Sequence, residues 1–354
     1  MRYLSDCKEN IHSCSKCGLC QSVCPIYKIT GNDCTVSRGH FIMLRGLLKG
    51  ELKMSGVINK YLDLCLKCSA CSGFCPSGID VTEIVALAKA EYFKLHKYEQ
   101  LKSFVLKHVV FGFGLNLISR IRSILTKNKK TKKFTKKVIF FGGCGSKVFG
   151  NNDIITILNS LNIEVITPKF DCCGLPFYLN GDMNTFEEYI KKFYSELNKY
   201  DSYDIVTNCA SCEKTLKSYE KWNSDIKINV INIFDLINES DIKPELSKNY
   251  KVTFHKPCNL NNWKIAESVL NNISNLEYIP MNEYDKCCGF NGVTKIKEYK
   301  TMLKLFKEKH NNILKTGAKI VLTSCLACKI TLSLFSFGKY KVYDFAEFLT
   351  KNLK

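Results

Sequence analysis

The sequence lacks an apolar run long enough to cross a membrane. Its longest candidate, residues 109–118, contains two glycines and an asparagine and is about half the roughly 18 residues that a spanning helix needs. The N-terminal residues MRYLSDCKEN also lack the apolar segment of a secretory signal. We therefore expect a cytoplasmic protein, in which reduced cysteines bind metal instead of forming disulfides.

Acidic residues are scarce beside basic ones. The 354-residue chain has 33 Asp and Glu against 52 Lys and Arg, which gives a formal net charge of +19. Residues 99–137 alone carry 11 basic residues and one acidic residue, so the excess is concentrated in one segment. No nucleic-acid recognition motif accompanies it. We expect no nucleic-acid partner, and we interpret 99–137 as a basic amphipathic linker that either packs as a connecting helix or lies on an anionic membrane surface.

Cysteine, by contrast, is abundant. Eight of the twenty cysteines form two copies of one motif with the same spacing. Cys14, Cys17, Cys20 and Cys24 are followed by proline, and Cys65, Cys68, Cys71 and Cys75 repeat the same spacing 51 residues later. This spacing is typical of [4Fe–4S] cubane ligands, and the fourth cysteine of each run usually ligates the other cluster. We therefore assign Cys14, Cys17, Cys20 and Cys75 to one cluster, and Cys65, Cys68, Cys71 and Cys24 to the second. Structural zinc is the competing interpretation, but zinc sites pair two short Cys-x-x-Cys knuckles and do not need a third cysteine three residues on.

Ten further cysteines form an internal repeat of about 115 residues. The first half contains Cys144, Cys172, Cys173, Cys209 and Cys212, and the second contains Cys258, Cys287, Cys288, Cys325 and Cys328. The segment CASCEKTL in the first half corresponds to CLACKITL in the second, as expected for a duplicated structural unit. Five cysteines exceed the four ligands of a zinc site, so each set suits an open iron–sulfur cluster. A redox-active dithiol or zinc remains the alternative.

Short apolar runs precede several of these cysteines. Residues 138–141, 205–207, 252–254 and 320–323 read as strands, and 294–314 reads as a helix. Strand–loop–helix order predicts two α/β units with the cysteines at the carboxyl ends of strands. Residues 37–52 and 81–95 have helical periodicity, so we expect a mainly helical N-terminal domain. The predicted fold class is thus α+β and multidomain, with segments 1–98, 99–137, 138–250 and 251–354.

Over essentially its full length, the chain resembles the CCG-domain iron–sulfur subunits. These include the D-type polypeptide of heterodisulfide reductase and the iron–sulfur subunits of glycolate oxidase and anaerobic glycerol-3-phosphate dehydrogenase. The resemblance implies that each five-cysteine set, called a quintet below, holds a further cluster, either noncubane or cubane. It also implies a separate flavoprotein dehydrogenase partner, of the glycerol-3-phosphate or 2-hydroxy acid type.

The resemblance leaves two functions open. The first is an electron-transfer subunit of an anaerobic oxidoreductase complex that relays electrons between the flavoprotein and a quinone or disulfide acceptor. In that case the protein contacts the inner face of the cell membrane peripherally. The second is a catalytic heterodisulfide reductase subunit acting at a C-terminal cluster. His255, three residues before Cys258, either tunes a cluster or forms a hydrogen bond inside its loop. The segment GGCGSK at 142–147 matches no phosphate-binding motif.

Overall fold

The computed structural model describes residues 2–114, 134–201, 203–222, 227–289 and 299–354. The chain forms two compact units. The first comprises Met1–Phe104, Pro176–Glu187 and Lys286–Lys309, and the second comprises Val105–Leu175, Glu188–Asp285 and His310–Lys354. The four segments expected from the sequence stay a prediction.

Helices dominate the N-terminal part of the first unit. They are α1 (Lys8–His12), α2 (Leu19–Val23), α3 (Pro25–Thr30), α4 (Ser37–Leu48), α5 (Gly56–Leu64), α6 (Ala70–Gly73), α7 (Val81–Leu95) and α8 (Lys97–Val105). Helix α7 begins where the Asp80 carboxylate accepts hydrogen bonds from the backbone N–H groups of Thr82 and Glu83, which satisfies two donors that a helix start leaves unpaired. The helices predicted at 37–52 and 81–95 are therefore present, and α4 ends four residues early, ahead of the left-handed Gly50.

Among the described residues, the second unit contains eight strands. They are β1 (Lys136–Phe140), β2 (Ile163–Ile166), β3 (Ile205–Thr207), β4 (Val230–Asn232), β5 (Glu245–Phe254), β6 (Ser274–Tyr278), β7 (Ile320–Thr323) and β8 (Lys341–Asp344). The helices from residue 143 onward are α9 (Gly143–Phe149), α10 (Asn152–Ser160), α11 (Leu175–Asn180), α12 (Met183–Leu197), α13 (Ala210–Lys217), α14 (Ile233–Glu239), α15 (Trp263–Asn272), α16 (Tyr299–Lys315), α17 (Leu326–Leu334) and α18 (Phe345–Asn352).

Two four-stranded parallel sheets repeat one topology. The strand orders are β2-β1-β3-β4 and β6-β5-β7-β8, and every pairing within them is parallel. One apolar core serves both sheets, since it includes Val138 and Val206 of the first sheet with Phe254 and Leu322 of the second. The strands predicted at 138–141, 205–207, 252–254 and 320–323 are all present. The α+β fold class with two pseudo-repeated units is confirmed.

Strand order decides where the cysteines lie. In each sheet the second strand along the chain pairs with one side of the first strand and the third strand pairs with its other side, so the order in which strands are added reverses beside the first strand. Ligands of open parallel sheets bind at this point, beyond the carboxyl ends of the strands. Cys144 and Cys209 follow β1 and β3, and Cys258 and Cys325 follow the corresponding strands β5 and β7. The repeat therefore places both quintets at equivalent positions.

The predicted linker is described only in part. Residues 99–114 lie in α8 and in a π-helix at Leu106–Gly114, whereas most of the lysine-rich stretch at 127–137 lies outside the described residues. Within the described part, no helix has the length and apolar character needed to cross a membrane.

Candidate metal centres

The two N-terminal cysteine runs surround two cavities in the first unit. One cavity, of about 390 Å³ including its open mouth, is lined by Cys14, Cys17, Cys20 and Cys75. The other, of about 410 Å³, is lined by Cys24, Cys65, Cys68 and Cys71. Each cavity thus receives the first three cysteines of one run and the fourth of the other, and Cys71 lines the first cavity as well. This is the exchange that the cubane spacing predicts, although the ligand assignment itself stays a prediction.

The backbone bends each run in the same way. Lys16 and Gly18 have φ values of 60° and 85°, and the matched residues Lys67 and Ser69 have 52° and 63°. Left-handed geometry costs a residue other than glycine about 1–2 kcal/mol. The repeated strain turns three thiols toward one point, and we infer that the energy of ligation offsets it.

The thiol environment fits a cationic metal core. Burial raises the pKa of Cys24 to about 11, and burial followed by the negative charge of the Cys65 and Cys68 thiolates raises the pKa of Cys71. Buried neighbouring thiols such as Cys24 and Cys71 do not ionise together near neutral pH without positive charge between them, and a bound metal deprotonates thiols outright. Among the described residues, none of these cysteines forms a disulfide bond. A bound iron–sulfur cluster would supply a one-electron carrier at each cavity.

The two cavities adjoin each other. Ser37, Cys71 and Val81 line both, and the Ser37 hydroxyl donates a hydrogen bond to the Cys71 sulfur. At the other side of the first cavity Cys17 is exposed, and the Leu19 backbone N–H lowers its pKa. The first cavity is therefore open to solvent at Cys17.

The first quintet is assembled within the second unit. Hydrogen bonds between sulfur atoms link Cys144 to Cys172, Cys172 to Cys173, Cys173 to Cys212, and Cys212 to Cys209. The contacts with Cys144 and Cys173, followed by burial, raise the pKa of Cys172. Five adjacent thiols exceed the capacity of one zinc ion, so the donor set suits a multi-iron cluster.

Glycines make room for these thiols. Gly143 has φ +51°, and a Cβ placed there would lie 3.0 Å from the Phe141 ring and 3.6 Å from Cys212 Sγ. The glycines that follow the paired cysteines, Gly174 and Gly289, have φ values of 73° and 84°. Both CCG motifs therefore use their glycine for a left-handed turn that other residues adopt only at a cost.

The second quintet is divided between the two units. Cys258, Cys325 and Cys328 belong to the second unit, and Cys287 and Cys288 belong to the first; their convergence on one cluster stays a prediction. Fully buried His255 has a ring nitrogen within 4.8 Å of Cys328 Sγ, so it lies close enough to influence a cluster there. Cys209 and Cys325 share a hydrogen bond, and Ser211 Oγ lies 3.4 Å from Cys325 Sγ. The two quintets therefore touch.

Comparison with known proteins agrees with this architecture. The 4Fe-4S dicluster domain matches residues 10–79, and the cysteine-rich CCG domain matches residues 138–217 and 252–333. The fold and these sites thus define an iron–sulfur protein with a dicluster domain and two CCG domains. The chain belongs to the CCG-domain iron–sulfur subunit family, and the recognition made from the sequence is confirmed.

Several curated relatives extend over most of the chain. One polypeptide of the fumarate reductase (CoM/CoB) of Methanothermobacter marburgensis is 26% identical over 96% of this chain and 72% of its own length. The probable glycolate oxidase iron–sulfur subunit of Bacillus subtilis is 23% identical over 91% of this chain and 88% of its own. One polypeptide of the dihydromethanophenazine:CoB–CoM heterodisulfide reductase of Methanosarcina mazei has the same three values. These relatives support an electron-transfer role in an oxidoreductase.

Solved structures add little. Glutamate racemase RacE1 of Bacillus anthracis is 12% identical, covers 62% of this chain and 80% of its own, and has a TM-score of 0.27. That score is too low to support a conclusion about the fold.

Proposed function

We propose that this chain is the iron–sulfur subunit of an anaerobic oxidoreductase complex and relays electrons between a flavoprotein dehydrogenase and a quinone or disulfide acceptor. The two cubanes of the dicluster domain carry electrons singly. The quintets hold two further clusters of noncubane or cubane type. The organic substrate is oxidised on the separate flavoprotein, of the glycerol-3-phosphate or 2-hydroxy acid type.

One observation carries the proposal: within each unit, neighbouring cysteine sites adjoin each other. The first cubane cavity opens to solvent at Cys17, and the second cavity shares its lining with the first. Cys24 and Cys68 of the second cavity pack against the apolar cluster that contains Cys287. Within the second unit, Cys325 contacts Cys209 of the first quintet. Because potentials of thiolate-bound clusters are set by their surroundings, such a series suits stepwise electron transfer.

The second candidate is a catalytic heterodisulfide reductase subunit. The name of the Methanosarcina mazei relative favours it, and the touching quintets provide adjacent sites that could reduce a disulfide by two electrons. Anaerobic assays of the isolated chain distinguish the two candidates. Disulfide reduction by the chain alone supports the catalytic candidate, whereas dependence on a co-purifying flavoprotein supports the relay.

The test of the relay is isolation of the native complex under anaerobic conditions, followed by identification of the co-purifying dehydrogenase and by iron and acid-labile sulfide analysis. About four irons per cluster are expected. Zinc without sulfide would refute the relay, and so would recovery of an iron-loaded chain that accepts no electrons from any flavoprotein in the same extract.

We also propose peripheral membrane contact through residues 97–114. In α8, the apolar side chains of Tyr98, Leu101 and Phe104 are each about 60% exposed, and they follow one another at three-residue steps beside Lys97 and Lys102. Exposed apolar side chains combined with lysines suit an anionic lipid surface. This contact would bring the protein close to membrane quinones.

A further inference from the structure

A third cavity lies beside the first quintet, wholly within the second unit. It has a volume of about 590 Å³ including its open mouth, which is larger than either cubane cavity. Cys144, Cys209 and Cys212 form part of its lining. The rest includes polar residues that belong to neither quintet, namely Asp153, Asn208, Lys329, Asp344 and Glu347. The cavity therefore presents several polar groups beside three predicted cluster ligands.

Asp344 is the polar residue with the most unusual environment. It ends β8, and its Oδ1 accepts hydrogen bonds from the backbone N–H of Ala346 at 3.0 Å and from Asn208 Nδ2 at 3.3 Å. Burial nevertheless raises the pKa of Asp344 to about 7, although nearby Lys329 and these hydrogen bonds oppose the increase. Asp344 can therefore exchange a proton near neutral pH.

The other charged groups around Asp344 are already paired. Lys329 Nζ lies 2.6 Å from Glu347 Oε2 and 3.8 Å from the centre of the Phe149 ring. Lys351 Nζ lies 2.6 Å from the second oxygen of Glu347. Asp153 in α10 faces the same cavity, and its backbone carbonyl accepts a hydrogen bond from Thr350. The Lys329 charge is thus largely engaged by Glu347, which explains why it does not hold Asp344 ionised.

The internal repeat shows that a carboxyl group is not needed for the local fold. Asn232 at the end of β4 corresponds to Asp344 at the end of β8, and each caps the helix that follows. Glu213 in CASCEKTL corresponds to Lys329 in CLACKITL, and in the first half Asn232 Nδ2 donates a hydrogen bond to Glu213 Oε2 at 2.8 Å. Asparagine and aspartate cap helices about equally well. At this position the second half therefore has a titratable carboxyl group, whereas the first half has an amide.

We propose that this cavity binds a small organic acceptor of two electrons and two protons, and that Asp344 holds one of the protons. The inference rests on the proposed function, because the electrons come from the donor through the cysteine sites. A quinone would take up two electrons and two protons to give a quinol. A disulfide would break its S–S bond and form two S–H bonds with the same uptake. Asp344 supplies one proton and is reprotonated from water, and the second proton enters through the cavity mouth.

The first experiment uses anaerobic redox titration of the whole iron-loaded protein at several pH values, followed by EPR. Reduction beside Asp344 adds negative charge and favours its protonation. The reduction potential of the iron–sulfur EPR signal from the second unit should therefore fall as the pH rises above about 7. The slope should approach 59 mV per tenfold change in proton concentration for a one-electron couple. D344N should abolish this slope while preserving the cap. D235N, in the capping box of α14, is the matched control and should retain the slope.

The second experiment adds a soluble short-chain quinone or a small disulfide to the reduced protein and follows cluster oxidation and proton uptake, the latter with an indicator dye. The acceptor that fits should oxidise the wild-type protein with two protons taken up per molecule, and D344N should slow this more than tenfold near pH 7. The proposal would be overturned if D344N kept the wild-type pH dependence of the potential and the wild-type rate of cluster oxidation. Failure of both acceptors would also overturn it, and normal reduction of the cubane signals in that same sample would show that the electron relay itself is intact.

Discussion

Cys24 packs against the apolar cluster that buries Cys287, although 263 positions separate them along the chain. Ile26, Leu64, Leu66 and Leu305 complete the buried part of this cluster, and Cys68 packs against it as well. A predicted ligand of the second cubane and a predicted ligand of the second quintet therefore share one apolar cluster inside the first unit. In the proposed relay, this shared cluster would lie on the route by which electrons leave the dicluster domain.

We expect C287S to interrupt that route. The substitution removes one thiolate of the second quintet and leaves all eight cysteines of the dicluster domain in place. EPR of the reduced protein should retain both cubane signals and show a changed or missing CCG signal. Stopped-flow reduction should show that electrons reach the first quintet at least about tenfold more slowly. Unchanged CCG signals and rates would exclude Cys287 as a ligand.

Cys34 offers a control for this substitution. It lies in the first unit outside both ligand runs and is half-buried, so C34S changes the same atom without touching a predicted cluster. Its cluster signals and rates should match those of the wild-type protein.

The second prediction concerns Ser37. Its hydroxyl donates a hydrogen bond to Cys71 Sγ, and such bonds stabilise the more negative, reduced form of a cluster. S37A should lower the potential of the second cubane. If the bond favours the reduced state by about 1.4 kcal/mol, the decrease is about 60 mV. Redox titration of the separate cubane signals checks this expectation.

Ser55 provides the matched serine. Its hydroxyl caps α5 by accepting a hydrogen bond from the Ile58 backbone N–H at 3.4 Å, and it lines neither cubane cavity among the described residues. S55A should reduce stability by about 1 kcal/mol and leave both potentials unchanged. An equal shift in the two variants would contradict a specific role for Ser37.

The sequence predicts some of these features and not others. Fixed spacing within Cys14–Cys24 and Cys65–Cys75 identifies the dicluster domain, because three ligands of each site are local. The matched apolar runs before Cys144 and Cys258 identify the two α/β units. The edge strands β2, β4, β6 and β8 are missed, and β6 and β8 illustrate the reason, since their partly exposed faces interrupt the apolar run that identifies a central strand.

Asp344 illustrates why the other features of the site cannot be predicted from the sequence. Its segment, KVYD, resembles an ordinary strand end followed by a helix cap. Only the parallel order β5-β7-β8, together with the first sheet, brings Asp344 to the same cavity as Cys209. Likewise, no local pattern indicates that Cys287 and Cys24 share one apolar cluster, because that cluster depends on packing between distant segments. The signal that was available is the change from Asn232 to Asp344 within the repeat.

The third prediction is a pH dependence of stability. The raised pKa of Asp344, about 7 in the folded protein against about 3.9 in an unfolded chain, means that the folded state binds its proton more tightly. Stability from this group is therefore full below about pH 4 and declines as the pH rises toward 7. D344N has no such proton, so its melting temperature should rise relative to wild type between those values. Thermal unfolding of the iron-loaded proteins across this range measures the difference, and a constant difference would show that Asp344 does not titrate there.

The last prediction tests the exposed apolar side chains of α8. The chain should float with vesicles containing phosphatidylglycerol and bind weakly to phosphatidylcholine alone, because lysines such as Lys97 and Lys102 lie beside Leu101. L101D should reduce binding several-fold by placing a negative charge at the lipid surface. Leu334, at the end of α17 and 70% exposed, provides the control, so L334D should bind as wild type does. Equal loss in both variants would indicate a general effect of charge, and undiminished binding of L101D would show that α8 does not contact lipid.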